Sequence, residues 1–261
     1  VIECLERAFP QGVAPDGRPL EQVADDAFAS HFANQYISFS FTKCDEQSWP
    51  SYLAFCGLDR LEAARDRGKG VVIAHPHMGP AQLPLHVLGL LGWPLIQVGG
   101  GRVTEVELSD TGRWAAEQRK VLESRMPVRV HDGRAYLRPL LRHLGEGGVV
   151  MTAADGTGGG EELGRRIEVR VLGHSMPLPM GPAWLAARTG AALIPMCCAR
   201  NPGDGPLYLA EVGEEIPVPG ADMAAAEVAT GALAHWLDGV LRAHPGDWLF
   251  WDGFRPGGLL P

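Results

Sequence analysis

Six short apolar runs set the limits on what this chain can become. They are Val71–Ala74, Pro94–Val98, Val128–His131, Gly147–Ala153, Ala192–Ala199 and Leu207–Val212. Each is too brief for a buried helix, and most are bounded by Gly or Pro, so they read as strands with buried faces. Between them the apolar residues return at helical spacing. Trp114–Ser124 is a mixed, surface-type helix, and Arg134–Leu144 is a helix in which Pro139 predicts a kink. Pro182–Thr189 is closed by Gly190, and Met223–Ala243 carries Leu233, Trp236, Leu237, Val240 and Leu241 on one side. Strands alternating with helices predict an α/β architecture around a central sheet.

The amino-terminal part reads differently. Ile2, Leu5 and Phe9 sit at helical spacing before Pro10, and a second helix spans about Leu20–Ala33 with Val23, Phe28 and Phe32 on its apolar side. Residues 46–66, with Tyr52, Leu53, Phe55, Leu58 and Leu61, are expected to add more helix. Ile167–Leu172, the turn Gly173-His174 and Met176-Pro177-Leu178 predict a hairpin. With no internal repeat and no long linker, the expectation is one domain over 1–261. Residues 1–66 form its helical part and 67–261 its α/β core.

Composition removes several classes of function. Hydrophobic residues at 46% and charged residues at 21% suit a globular protein with a sizeable core. A net charge of −8 without any dense basic run argues against nucleic acid as a partner. Five cysteines, two of them adjacent at 197 and 198, do not form a disulfide framework and point to reduced thiols in the cytoplasm. The longest apolar stretch, Leu83–Val98, contains Pro84, His86, Pro94 and Gln97 and falls short of the ~20 residues a membrane span needs. No signal peptide is visible. The numbering opens on Val1, not on a methionine, which leaves room for upstream residues, an anchor among them.

Two strand ends feed loops rich in glycine and polar groups, 75–82 and 155–161, and open α/β sheets bind ligands beyond the carboxyl ends of their strands. In the first, Val71–Ala74 runs into His75-Pro76-His77-Met78-Gly79, and Pro80 suits the first turn of a new helix with Gln82 one turn in. His77, at a strand end beside helix-start N–H groups, is placed for proton transfer or for a purely structural hydrogen bond. His75 and His77 together also have the spacing of a metal pair, with Asp155 as a further ligand, as in metal-dependent hydrolases. The glycine-rich loop at 155–160 is not followed by the Lys–hydroxyl pair of a phosphate loop.

The segment Val71–Leu83 resembles the His-x4-Asp/Glu box of the lysophospholipid acyltransferase superfamily. That box follows a strand and has glycine two residues after its histidine, here His77 and Gly79. Further likenesses to the bacterial lipid A biosynthesis (lauroyl/myristoyl) branch follow in order. They are Ala8-Phe9-Pro10, Leu144–Val150 leading to Asp155-Gly156, Val169–Pro195, and His244-Pro245 with Asp247–Trp251 and Arg255.

The resemblance implies a glycerol-3-phosphate acyltransferase-like fold, with a mixed, mostly parallel sheet flanked by helices. It implies acyl transfer from a thioester, carried by acyl-carrier protein or CoA, to a hydroxyl or amine of a lipid or biosynthetic intermediate. His77 would be the general base. Backbone N–H groups near Gly79, or at Gly156 and Thr157, would hold the oxyanion, and Arg134 would hold an acceptor phosphate. No metal and no cofactor beyond the donor's own phosphopantetheine is implied. The setting would be cytoplasmic, with peripheral contact at the inner face of the membrane.

The chain departs from the family where the box calls for an acid. Gln82 stands there, able to accept the imidazole N–H but without charge. Gln82 is therefore the expected orienting partner, with Asp155 or Glu161 as the carboxylate that would stand in for it. Pro80 and Ala81 replace the usual Asn and Trp, and the 156–160 loop is unusually glycine-rich. A catalytically silent binding protein is the competing reading, and a metal-dependent hydrolase using His75 and His77 the third.

Overall fold

In chain order the elements are α1 (Ile2–Ala8), α2 (Leu20–Tyr36), β1 (Leu53–Cys56), α3 (Leu58–Asp66), β2 (Val71–His75), α4 (Gln82–Leu90) and β3 (Leu95–Gly99). Then come α5 (Asp110–Glu123), β4 (Arg129–Asp132), α6 (Arg138–Gly145), β5 (Val149–Ala153), β6 (Arg166–Val171) and β7 (His174–Pro179). The last are α7 (Gly181–Thr189), β8 (Ala192–Arg200), β9 (Tyr208–Val212) and α8 (Met223–Ala243), with a two-residue pair at Phe254–Arg255 and Gly258–Leu259. This computed structural model describes residues 1–99, 109–156, 164–255 and 258–259.

Seven strands form one mixed, mostly parallel sheet in the order β1-β9-β8-β2-β5-β3-β4. Only β8 and β9 pair antiparallel, so β1 and β9 run against the other five. β2 lies at the centre with every residue buried, which is why its sequence is continuously apolar and does not alternate. The strand period still sorts its side chains. Val71 and Ile73 join Leu83, Leu85 and Leu88 of α4 on one face, while Val72 and Ala74 join Leu140, Ala186 and Leu233 of α6, α7 and α8 on the other. Each fully buried Val, Ile or Leu among them contributes about 1.5–3 kcal/mol.

A third cluster closes the molecule from the ends of the chain. Leu5 and Phe9, with Val23 and Ala27 of α2, pack on Trp248, Trp251 and Phe254. Leu20, Val23, Ala24, Ala27 and Ser30 are the buried side of α2. Phe28, Phe32 and Tyr36 therefore fall on its opposite, exposed side. No helix among the described residues is long and apolar enough to cross a membrane.

Two local expectations are corrected. Residues 53–56, expected as helix, are the edge strand β1, paired parallel with β9. Tyr52, Phe55 and Leu58 match helical spacing only by chance, and Gly57 breaks the run before α3 starts. In α6 Pro139 sits in the first turn, where its missing N–H is not needed, so the helix starts at Arg138 with no kink and Arg134 lies in the turn before it.

Candidate active site

The central pairing builds the site. β2 and β5 run parallel in register, with His75 opposite Ala153. Two residues beyond each strand end the two chains present His77 and Asp155 to one another. His77 Nδ1 lies 2.8 Å from Asp155 Oδ1, and the His77 backbone N–H donates to Oδ2 at 2.8 Å. The Trp248 indole N–H donates to the same Oδ2 at 3.0 Å.

Asp155 is fully buried, whereas 29% of the His77 side chain is exposed. Burial works to raise the Asp155 pKa. The His77 charge and hydrogen bond, the Trp248 N–H and the His77 backbone N–H together outweigh it and hold the carboxyl below the ordinary carboxylate range. An ionised carboxylate only accepts, so the proton of the imidazole sits on Nδ1 and Nε2 carries the free lone pair. The His77 ring rests on Phe250, with centroids 4.5 Å apart and an angle of 29° between the planes.

The loop after β2 is fixed by the chain's carboxyl-terminal segment. Leu249 N–H donates to the His77 carbonyl at 2.9 Å, and Gly79 N–H donates to the Asp247 carbonyl at 2.7 Å. Gly79 has φ +51°, and a Cβ there would lie 2.6 Å from the Cys198 carbonyl oxygen of β8. Only glycine fits that approach.

The sequence-predicted residues divide as follows. His77 and Asp155 are brought together. Gln82 is not the partner of the His77 ring, because Asp155 takes Nδ1. Gln82 opens α4 with its Oε1 buried and no hydrogen-bond partner for it among the described residues. Gly79 does not supply an oxyanion donor, since its N–H is already bound to Asp247. Gly156 is buried directly after Asp155, while Thr157 and Glu161 lie outside the described residues.

Arg134 is exposed in the turn after β4, its backbone N–H on Asp132 Oδ1. β4 is three strand positions from β2, roughly 14 Å across the sheet. His75 is buried, donates Nδ1–H to the Pro76 carbonyl at 3.1 Å, and has its pKa pushed down to about 4 by burial and by the His77 charge. Among the described residues no group of three His, Cys, Asp or Glu side chains forms a metal-sized cluster. The metal-pair reading of His75 and His77 has no third ligand there.

Two residues of the site, Trp248 and Phe250, were visible in the sequence only as part of the likeness at the carboxyl end. The usable signal was the polar N–H of a tryptophan in an apolar segment that has to be buried.

An imidazole at the mouth of a parallel sheet, oriented by a sealed carboxylate, is equipment for acid–base group transfer. Residues 4–252 match the bacterial lipid A biosynthesis acyltransferases, and the chain belongs to that family and so to the acyltransferases. It is similar to a protein named phosphatidylinositol mannoside acyltransferase from Mycolicibacterium smegmatis. The two are 28% identical over 240 residues, covering 89% of this chain and 73% of that one. It is 31% identical over 196 residues to the protein of the same name from Mycobacterium tuberculosis, covering 74% of this chain. That match spans 56% of the length of the Mycobacterium tuberculosis protein.

Proposed function

We propose that this chain moves an acyl group from a thioester of acyl-carrier protein or CoA to a hydroxyl of a lipid-class acceptor, a glycolipid first among them. His77 is its general base and Asp155 the group that orients it. The observation that carries this reading is the 2.8 Å contact between His77 Nδ1 and Asp155 Oδ1. With Nδ1–H given to Asp155, Nε2 takes the acceptor's proton as its oxygen attacks the thioester carbonyl. The tetrahedral intermediate then collapses, the C–S bond breaks, and the imidazolium returns that proton to the departing thiolate. Asp155 stabilises the imidazolium between the two steps. With the Gly79 N–H bound to the Asp247 carbonyl, the backbone N–H groups that follow Asp155 are the proposed donors for the oxyanion.

The names of the mycobacterial relatives support a glycolipid acceptor. Arg134 at the sheet's edge is the proposed contact for an acceptor phosphate. Against the silent-protein reading, which stands on a neutral partner at Gln82, the Asp155 carboxylate 2.8 Å from His77 Nδ1 supports catalysis. Peripheral membrane contact is part of the proposal, through the exposed aromatic side of α2. The deciding experiment is a mass-spectrometric screen of acyl-CoA and acyl-carrier-protein donors against glycolipid acceptors, run with wild type and His77→Ala. Product from wild type and none from a folded His77→Ala chain is expected; equal turnover by the two would end the proposal.

A further inference from the structure

We propose that Trp248 is a positioning residue of this reaction, its indole N–H fixing how the Asp155 carboxylate faces the His77 ring; the inference rests on the acid–base reading of that pair. Asp155 has two oxygens with separate duties. Oδ1 meets His77 Nδ1, and Oδ2 takes two N–H donors, one from the His77 backbone and one from Trp248. Take the indole donor away and a fully buried carboxylate oxygen loses one of its two N–H bonds. The carboxylate then gains freedom to turn, and its negative charge is shared with one donor fewer.

Tryptophan suits this place for physical reasons. Its N–H donates and never accepts, so it favours the charged carboxylate over the protonated one. It brings no positive charge of its own to compete with the imidazolium for Asp155. The ring is completely buried and packed edge-on against Trp251 at 4.8 Å and Phe254 at 6.0 Å, which leaves the N–H one direction to point.

The backbone on either side is also held. Trp251 donates its own N–H to the Pro245 carbonyl at 2.7 Å. Asp247 accepts from Ser30 Oγ at 2.6 Å and from Arg200 Nε at 2.9 Å, and Arg200 reaches Asp26 of α2 at 2.8 Å. An ion network from α2 thus anchors the segment that aims the indole. Besides His77, the titratable group near Asp155 among the described residues is His75, which is buried and kept neutral.

The test is kinetic and uses the full chain. Two replacements at this position are compared with wild type and His77→Ala. Trp248→Phe keeps a ring, and benzothienylalanine keeps the indole's shape with sulfur in place of N–H. Both are expected to lower kcat roughly 10- to 100-fold, the worth of one hydrogen bond to a charged group, with KM within about twofold. Both should also move the acid limb of the kcat/KM profile to higher pH, because a more basic Asp155 holds the imidazole proton more tightly.

A benzothienylalanine chain with wild-type kcat and pH profile, beside an inactive His77→Ala, overturns the proposal and leaves the acid–base reading standing. Loss in Trp248→Phe that benzothienylalanine restores also overturns it, since shape alone would then matter. Activity in His77→Ala removes the acid–base reading itself.

Discussion

At the scale of single residues the chemistry turns on which side chain faces His77 Nδ1. Asp155 does, from a different strand, and Gln82 does not. Asp155→Asn keeps the size and removes the charge, and its amide can present an N–H donor to a ring nitrogen that itself carries a proton. The change of acid to amide in serine-protease triads costs about 10⁴-fold in kcat, and a fall of roughly 10³- to 10⁴-fold with little change in KM is expected here. Gln82→Glu, made in parallel, should give no gain, and its buried charge should lower the melting temperature by several degrees. Steady-state kinetics and melting curves on both variants check this; a gain from Gln82→Glu would return the orienting role to residue 82.

His77 and Gly79 were legible because their roles depend on a short local pattern, strand, turn and helix start. The tie between His77 and Asp155 was not, since it depends on two strands 78 positions apart pairing in register. Asp155 was visible only as one acidic candidate among others. The amide at 82 drew attention because the family box places an acid there in sequence, and sequence distance says nothing of where a side chain points.

At the scale of elements the alternation of short apolar runs and helical patterns carried the fold, because β2, β5 and β8 are buried on both faces and read as continuous hydrophobic strands. β1 escaped notice for the opposite reason. An edge strand of four residues, one buried, two half-buried and one exposed, has neither length nor alternation to announce it.

The join between α8 and β9 carries a pH-dependent contact. His244 Nε2, just past the end of α8, lies 3.1 Å from Glu211 Oε1 on β9. The Glu211 hydrogen bond, with its charge and that of Asp247 against the opposing effect of burial, raises the His244 pKa above its ordinary 6.5. A raised histidine stabilises fully below about pH 6.5 and loses that contribution as pH rises through its folded-state value. The pair is partly exposed, which limits it to about 0.5–1 kcal/mol, or about 1–3 °C in melting temperature for a chain of this size. Melting curves from pH 6 to 9 should therefore fall by that much more for wild type than for His244→Gln; parallel curves would show that the contact adds nothing.

At the scale of the whole molecule the open question is how a chain with a net charge of −8 meets a lipid acceptor. Electrostatics are unhelpful at an anionic surface, where basic clusters provide the attraction. Apolar contact is available instead. Phe28, Phe32 and Tyr36 follow one another at four-residue steps along α2 and are 56%, 59% and 52% exposed. Phe32 and Tyr36 lie nearly parallel at 6.4 Å, and Phe39 continues the row at 6.1 Å from Tyr36.

α5 joins the end of α2 through Arg119 and Gln35 and adds Trp114, 57% exposed. The opposite side of α2 holds Asp247 through Ser30, so the aromatic row is one helix away from the segment that fixes the His77 loop. Sinking three aromatic rings into a lipid interface is worth about 1.5–3 kcal/mol each when complete, enough for binding without charge. Phosphatidylcholine vesicles should accordingly sediment with the protein at least as well as vesicles containing phosphatidylglycerol. The triple variant Phe28→Ser, Phe32→Ser, Tyr36→Ser should partition at least about tenfold less, while its soluble-phase melting temperature stays near wild type, because those rings are already in water. Equal sedimentation of variant and wild type would assign membrane contact to another face, and preference for anionic vesicles would show that local charge, not these rings, draws the chain to lipid.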